Sequence, residues 1–108
     1  MVEYTPTLDS IFSSLADPTR RDILRRVSTR QLSVGEIALP YDLTFAAISK
    51  HLKVLERARL IIKKRRGKEQ IVRIAPQALQ QADDYLEFYR QFWEERLDSL
   101  EDYLNKEA

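Results

Sequence analysis

The last third of the chain sets the strongest constraint on its fold. After Ala75-Pro76, Leu79, Ala82, Leu86, Tyr89, Trp93, Leu97, Leu100 and Leu104 recur at steps of three or four, and Tyr85, Phe88, Phe92 and Tyr103 widen the stripe. This spacing predicts one helix reaching about Asn105, roughly 29 residues and about 43 Å long. A chain of 108 residues builds a core too small to cover such a helix along its whole length. Its apolar face needs a partner, and a second copy of the same helix is the first candidate. Folding back onto the chain's own core, or enclosing a small apolar molecule among the aromatics, would also cover it. The extra four-residue step across Tyr89, Trp93 and Leu97 disfavours a strict heptad seam.

The rest of the sequence divides into short helical segments and one β-ribbon. Leu8, Ile11, Phe12 and Leu15 predict a first helix from about Thr7 to Ala16. Asp17-Pro18 restarts the chain with an N-cap and a first-turn proline, and Ile23, Leu24 and Val27 form the stripe of a second helix ending near Ser28. Ser33 with Glu36 has capping-box spacing, opening a short third helix whose buried side is Val34, Ile37 and Ala38. Pro40-Tyr41-Asp42-Leu43 breaks the pattern, and Thr44 caps a fourth helix from Phe45 to Arg57 or Ala58. Residues 61–66 and 70–74 are β-branched runs flanking Arg66-Gly67-Lys68-Glu69, the signature of a hairpin with a cationic tip.

Two helices joined by a short break and followed by a hairpin form a recurrent DNA-reading unit. At 100° per residue, Ile48, Leu52 and Leu55 lie within about 60° of one another and face the core. Ala46, Lys50, Lys53 and Arg57 then point away, with Ser49 on the shoulder. Small residues allow close approach to base edges, and lysine reaches guanine N7 or O6 or a phosphate. Ala46, Ala47 and the Thr44 methyl suit thymine methyl groups. The hairpin adds Lys63, Lys64, Arg65, Arg66 and Lys68, placed to lie along a neighbouring backbone or minor groove.

Charge follows the same division. Residues 1–49 carry net −1, residues 50–73 net +8 and residues 77–108 net −6, although the whole chain is only +1. Such polarisation suits a protein that sets one end on a polyanion.

Leu15-Ala16-Asp17-Pro18-Thr19-Arg20-Arg21-Asp22-Ile23-Leu24 resembles the second-helix opening of ArsR/SmtB-type winged-helix repressors. Residues 43–56 and Ala58-Arg59-Leu60-Ile61 are similar to their recognition helix and entry to the wing, and the resemblance covers residues 8–75. It implies a dimer whose first and last helices form the interface, and repression of a promoter relieved by an effector. Carried over by position, Thr44, Ala46, Ala47, Ser49, Lys50, His51 and Lys53 belong to the DNA-contacting helix. Lys64, Arg65, Arg66 and Lys68 belong to the wing; Leu8, Phe12, Leu86, Tyr89, Trp93, Leu97 and Leu100 belong to the dimer interface. Phe45 departs from the polar residue common at its position, and Arg59 stands where many members have glycine.

Metal sensing and catalysis find little support. The third helix lacks the paired cysteines of metal-sensing members, the chain has no cysteine at all, and the last helix has no histidine. Its carboxylates read as a solvated face, so no metal and no cofactor are expected, and any small-molecule effector stays unidentified. His51 is the one histidine and has no evident base partner; a phosphate contact or a half-buried structural role suits it better than catalysis. Met1-Val2-Glu3 opens without a basic-then-apolar leader, and no run approaches a membrane span. The expected protein is a cytoplasmic, non-enzymatic homodimer on double-stranded DNA. Its fold class is mainly α with a small β-hairpin, a winged helix-turn-helix with a long C-terminal dimerisation helix. One domain over 1–108 is expected, with a DNA-binding core over 7–75 and the helix over 76–105. A winged-helix module that binds only other proteins is the alternative.

Overall fold

Side-chain caps decide where the helices begin. In the computed structural model, which describes residues 8–107, Asp17 Oδ1 accepts from the backbone N–H groups of Thr19 (2.8 Å) and Arg20 (3.1 Å). These are two of the donors that a helix start leaves unpaired. They open α2 (Pro18–Thr29), which follows α1 (Leu8–Ser14). The expected first-helix start at Thr7 and the Met1-Val2-Glu3 opening lie outside the described residues. Ser33 and Glu36 close the full capping box of α3 (Val34–Ala38), at 3.1 and 2.9 Å. Thr44 Oγ1 accepts from Ala47 N–H at 3.1 Å and opens α4 (Phe45–Arg57).

The end of α4 is equally well defined. Leu60 N–H donates to Leu55 C=O (3.0 Å) and Arg59 N–H to Glu56 C=O (2.9 Å), the paired bonds of a Schellman ending. This ending places Arg59 in the left-handed region, at φ 59°. A side chain there is strained by about 1–2 kcal/mol, which glycine avoids at some entropic cost. Arg59→Gly is therefore expected to stabilise the protein by about 0.5–1 kcal/mol, read as a higher urea midpoint. An unchanged or lower midpoint would contradict the strain.

Beyond α4, strands β2 (Ile61–Arg66) and β3 (Glu69–Ile74) pair antiparallel from Ile61↔Ile74 to Arg66↔Glu69. The two-residue turn between them has Gly67 at φ 64°, the positive first position that a II′ hairpin turn requires. The sequence predicted only this ribbon, but the sheet has three strands. Leu32–Ser33 forms β1 and pairs with β3 through Leu32↔Val72 and Ser33↔Ile71, giving the order β1-β3-β2. A two-residue strand is too short to show a period, and Ser33 was already legible as a helix cap. α1 also ends at Ser14, two residues earlier than the apolar spacing suggested.

The core gathers one face from each element: Ile11, Ile23, Ile37, Ile48, Leu52, Leu55, Leu60, Ile61 and Val72 are fully buried. Polar clamps fix the link between α3 and α4. Arg26 donates to the carbonyls of Ile37 (2.8 Å) and Glu36 (2.9 Å) and lies 5.3 Å from the centre of the Tyr41 ring. The Tyr41 hydroxyl donates to the Asp22 carboxylate.

These contacts favour charged carboxylates. The hydrogen bond from Tyr41 lowers the Asp22 pKa, the Arg20 backbone N–H lowers that of Asp17, and the Ser33 backbone N–H lowers that of Glu36. A depressed carboxyl contributes stability above its ordinary pKa, 3.8 for aspartate and 4.5 for glutamate, and loses it as pH falls toward the folded value. The urea midpoint is expected to drop on acidification from about pH 5 to about pH 3. Asp17→Asn with Asp22→Asn should flatten that drop; a pH-independent midpoint in the unsubstituted protein would refute the linkage.

The last element is α5 (Pro76–Glu107), 32 residues and about 48 Å long. Ala75, Ala78 and Ala82 are buried, and Phe12 of α1 meets Tyr85 edge-on with ring centres 5.9 Å apart. Beyond Ala82 no described residue is buried. The rest of α5 leaves the body of the molecule.

Candidate nucleic-acid interface

The α4 helix turns its core stripe inward through Ile48, Leu52 and Leu55, all buried. Ala46, Lys50 and Lys53 are exposed on the opposite face, with Ser49 and Ala47 half-buried on its two flanks. Thr44 is exposed, but its hydroxyl serves the helix cap and its carbonyl accepts from Ile48 N–H at 3.1 Å.

His51 is placed differently. Half-buried, it brings Nδ1 within 3.3 Å of Arg20 Nη1, while Arg20 Nε donates to Ser14 C=O at 2.7 Å. The guanidinium thus ties the end of α1 to α2 and touches the flank of α4. Arginine always donates, so the contact needs His51 Nδ1 to accept, with the ring proton on Nε2.

The wing has two unlike faces. Strand alternation sets Lys64 and Arg66 beside Ile71 and Arg73, and Lys63 and Arg65 beside Val72 and Gln70. The first face borders a depression of 360 Å³ that reaches Gln31. The second meets α4, where Lys63 Nζ lies 3.5 Å from Glu56 Oε1. Between that face and α4 runs a cleft of 660 Å³. Ser49, Lys53, Lys63, Lys68, Glu69 and Gln70 line it together with Phe45 and Leu52 of α4, and Ser33, Val34 and Gly35 at the start of α3 close its end.

Solved structures share this fold. A crystal structure of an ArsR family transcriptional regulator superposes with a TM-score of 0.76 at 32% identity, over 87% of this chain and 97% of that one. The chain belongs to the ArsR family. Residues 15–63 also match the helix-turn-helix domain family. The HTH-type transcriptional regulator Rv2034 of Mycobacterium tuberculosis is 38% identical over 71 residues, 66% of each chain. The transcriptional repressor SdpR of Bacillus subtilis is 33% identical over 60 residues, 56% of this chain and 67% of that protein. The chain thus spans about two thirds of the length of these two relatives. This ArsR family protein is a DNA-binding transcriptional regulator with a winged helix-turn-helix fold.

Within this ArsR family fold, the residues read from sequence fall into three places. Ala46, Ser49, Lys50 and Lys53 share the outward side of α4, and Lys64, Arg65, Arg66 and Lys68 surround the wing tip. Leu86, Tyr89, Trp93, Leu97 and Leu100 form an exposed stripe on α5, whereas Leu8 is half-buried and Phe12 packs on Tyr85. Sequence reasoning missed Gln70 as a cleft residue and Arg20 as the neighbour of His51. Gln70 was legible in principle, because strand alternation puts it opposite Arg65. The Arg20 contact spans 31 positions and left no local signal. Among the described residues no group of three or more His, Cys, Asp or Glu side chains is set to hold a metal ion, and no helix is long and apolar enough to cross a membrane.

Proposed function

We propose that the protein is a homodimeric repressor that reads a pseudo-palindromic operator, with α4 in the major groove and the wing over the adjacent minor groove. The cleft between α4 and the wing carries this reading. The strand that separates a major groove from its neighbouring minor groove must pass between the elements occupying them. The cleft is the channel for that strand: Ser49, Lys53 and Lys68 line it with a hydroxyl and two ammonium groups, Lys63 adds a third that is paired with Glu56, and Glu69 stands among them. Ala46 and Lys50 then face base edges, Lys64, Arg65 and Arg66 hold flanking backbone, and Thr44, Ala47 and His51 border the contact.

Residues 7–75 act as the DNA-binding core and residues 76–105 as the dimerisation helix. The exposed stripe on α5 from Leu86 to Leu100, with Leu8 and Phe12 at its root, pairs with its copy across a two-fold axis. We assign the protein no catalytic role, no cofactor and no metal, and a cytoplasmic site of action beside the DNA it controls. The name of SdpR supports repression as the outcome.

Selection of bound duplexes from random DNA tests the whole reading. The expected product is an inverted repeat with half-site centres about 10 bp apart or a multiple of that. Recovery of unrelated sequences, with binding no better than to bulk DNA, would overturn operator reading and favour a module that binds other proteins.

A further inference from the structure

Phe45 is the first residue of α4; it is 68% exposed and lines the cleft together with Ser49 and Lys53. It does not pack into the core cluster, although the neighbouring stripe residues Ile48 and Leu52 do. The N-terminal turn of a recognition helix is the part that comes nearest to base edges. A large apolar ring left uncovered at that point has one chemical complement there. Apart from small ring C–H edges such as cytosine C5–H, the groups on the major-groove edge are hydrogen-bond donors or acceptors, which phenylalanine cannot satisfy and would desolvate. Only thymine offers an apolar substituent that projects toward the ring, its C5 methyl.

We infer that Phe45 is a specificity residue that selects thymine by packing its ring against the C5 methyl at one position of each half-site. The ring excludes water from the methyl and penalises bases that present an amino or carbonyl group to it. Thr44 steadies the ring by fixing the first turn through its bond to Ala47 N–H. The inference rests on the operator reading proposed above.

The test uses the selected operator with each thymine replaced in turn by deoxyuridine, which removes the methyl and leaves base pairing unchanged. Binding of the full-length protein and of Phe45→Ala is measured on every duplex. At one thymine per half-site the unsubstituted protein should lose about fourfold in affinity, the equivalent of one buried methyl group, and about 15-fold when both half-sites are changed. Phe45→Ala should bind the thymine and uracil duplexes alike at that position, and Phe45→Leu should retain part of the discrimination. Equal losses for the unsubstituted protein and Phe45→Ala at every thymine, or no loss at any, would overturn the inference while leaving operator binding intact. Failure to recover an operator at all would instead strike the underlying reading. Because the ring is exposed, unchanged thermal melting of Phe45→Ala separates lost readout from lost folding.

Discussion

Replacing Trp93 and Leu97 together by glutamate is expected to convert the protein to a monomer and to weaken operator binding about 10²–10⁴-fold. Both side chains stand on α5 beyond the last buried residue, Ala82, with Trp93 63% and Leu97 47% exposed. Neither contributes to the core, so the winged domain should stay folded and still melt cooperatively, while the unpartnered end of α5 loses part of its helix signal. The loss comes from connectivity: once one half of a dimer is bound, its other half searches at an effective concentration far above that of free protein. Separating the halves removes that advantage without touching a DNA contact. The four introduced carboxylates of a dimer would face one another across the two-fold axis, in a helix region already at net −6. Sedimentation and operator titration check the result together. A variant that still sediments as a dimer and binds with undiminished affinity would place the interface elsewhere.

Salt should have an effect of comparable size. A dimer with two cationic clefts and two wings that contacts about 6–10 phosphates loses about 10³–10⁵ in affinity between about 50 and 200 mM salt. Substitutions within the interface should divide by kind. Lys50 lies on the outward face of α4, so Lys50→Ala is expected to cost about 1–3 kcal/mol on the selected operator and to relax its sequence preference. Arg66 lies at the wing tip opposite Glu69, so Arg66→Ala should weaken all sequences alike and reduce the salt slope by about one unit for each wing. Titrations of matched and scrambled duplexes at several salt concentrations distinguish them. A uniform loss for Lys50→Ala and a selective loss for Arg66→Ala would move sequence reading into the wing.

Much of this architecture was legible because local rules wrote it. Asp17-Pro18, the Ser33 and Glu36 pair, and Thr44 each announced a helix start, and each accepts the backbone hydrogen bonds that its type and spacing implied. Gly67 announced the turn, and the stripe of Ile48, Leu52 and Leu55 fixed which side of α4 faces outward. Contacts made across long stretches of sequence were not legible. β1 exists because Leu32 finds Val72, forty positions away, and Arg20 reaches His51 only after α2 and α4 have packed. The sequence also could not decide whether Phe45 packs against the turn or projects, since both suit an aromatic at a helix start. Arg59 was visible as an unusual residue at a helix end; its positive φ required the backbone.

The small residues at the root of α5 have a mechanical consequence. Alanines at 75, 78 and 82 offer smooth, shallow packing against the body, and the 25 residues after Ala82 form a lever of about 37 Å. A tilt of about 10° at that root sweeps the far end through about 6 Å, nearly two base-pair steps of about 3.4 Å each along a duplex. In the proposed dimer the stripe from Leu86 to Leu100 is held against its copy, so a tilt at the root appears as a change in separation between the two reading helices. The gauge that matches the protein to its half-site spacing is then set by methyl groups that touch no DNA.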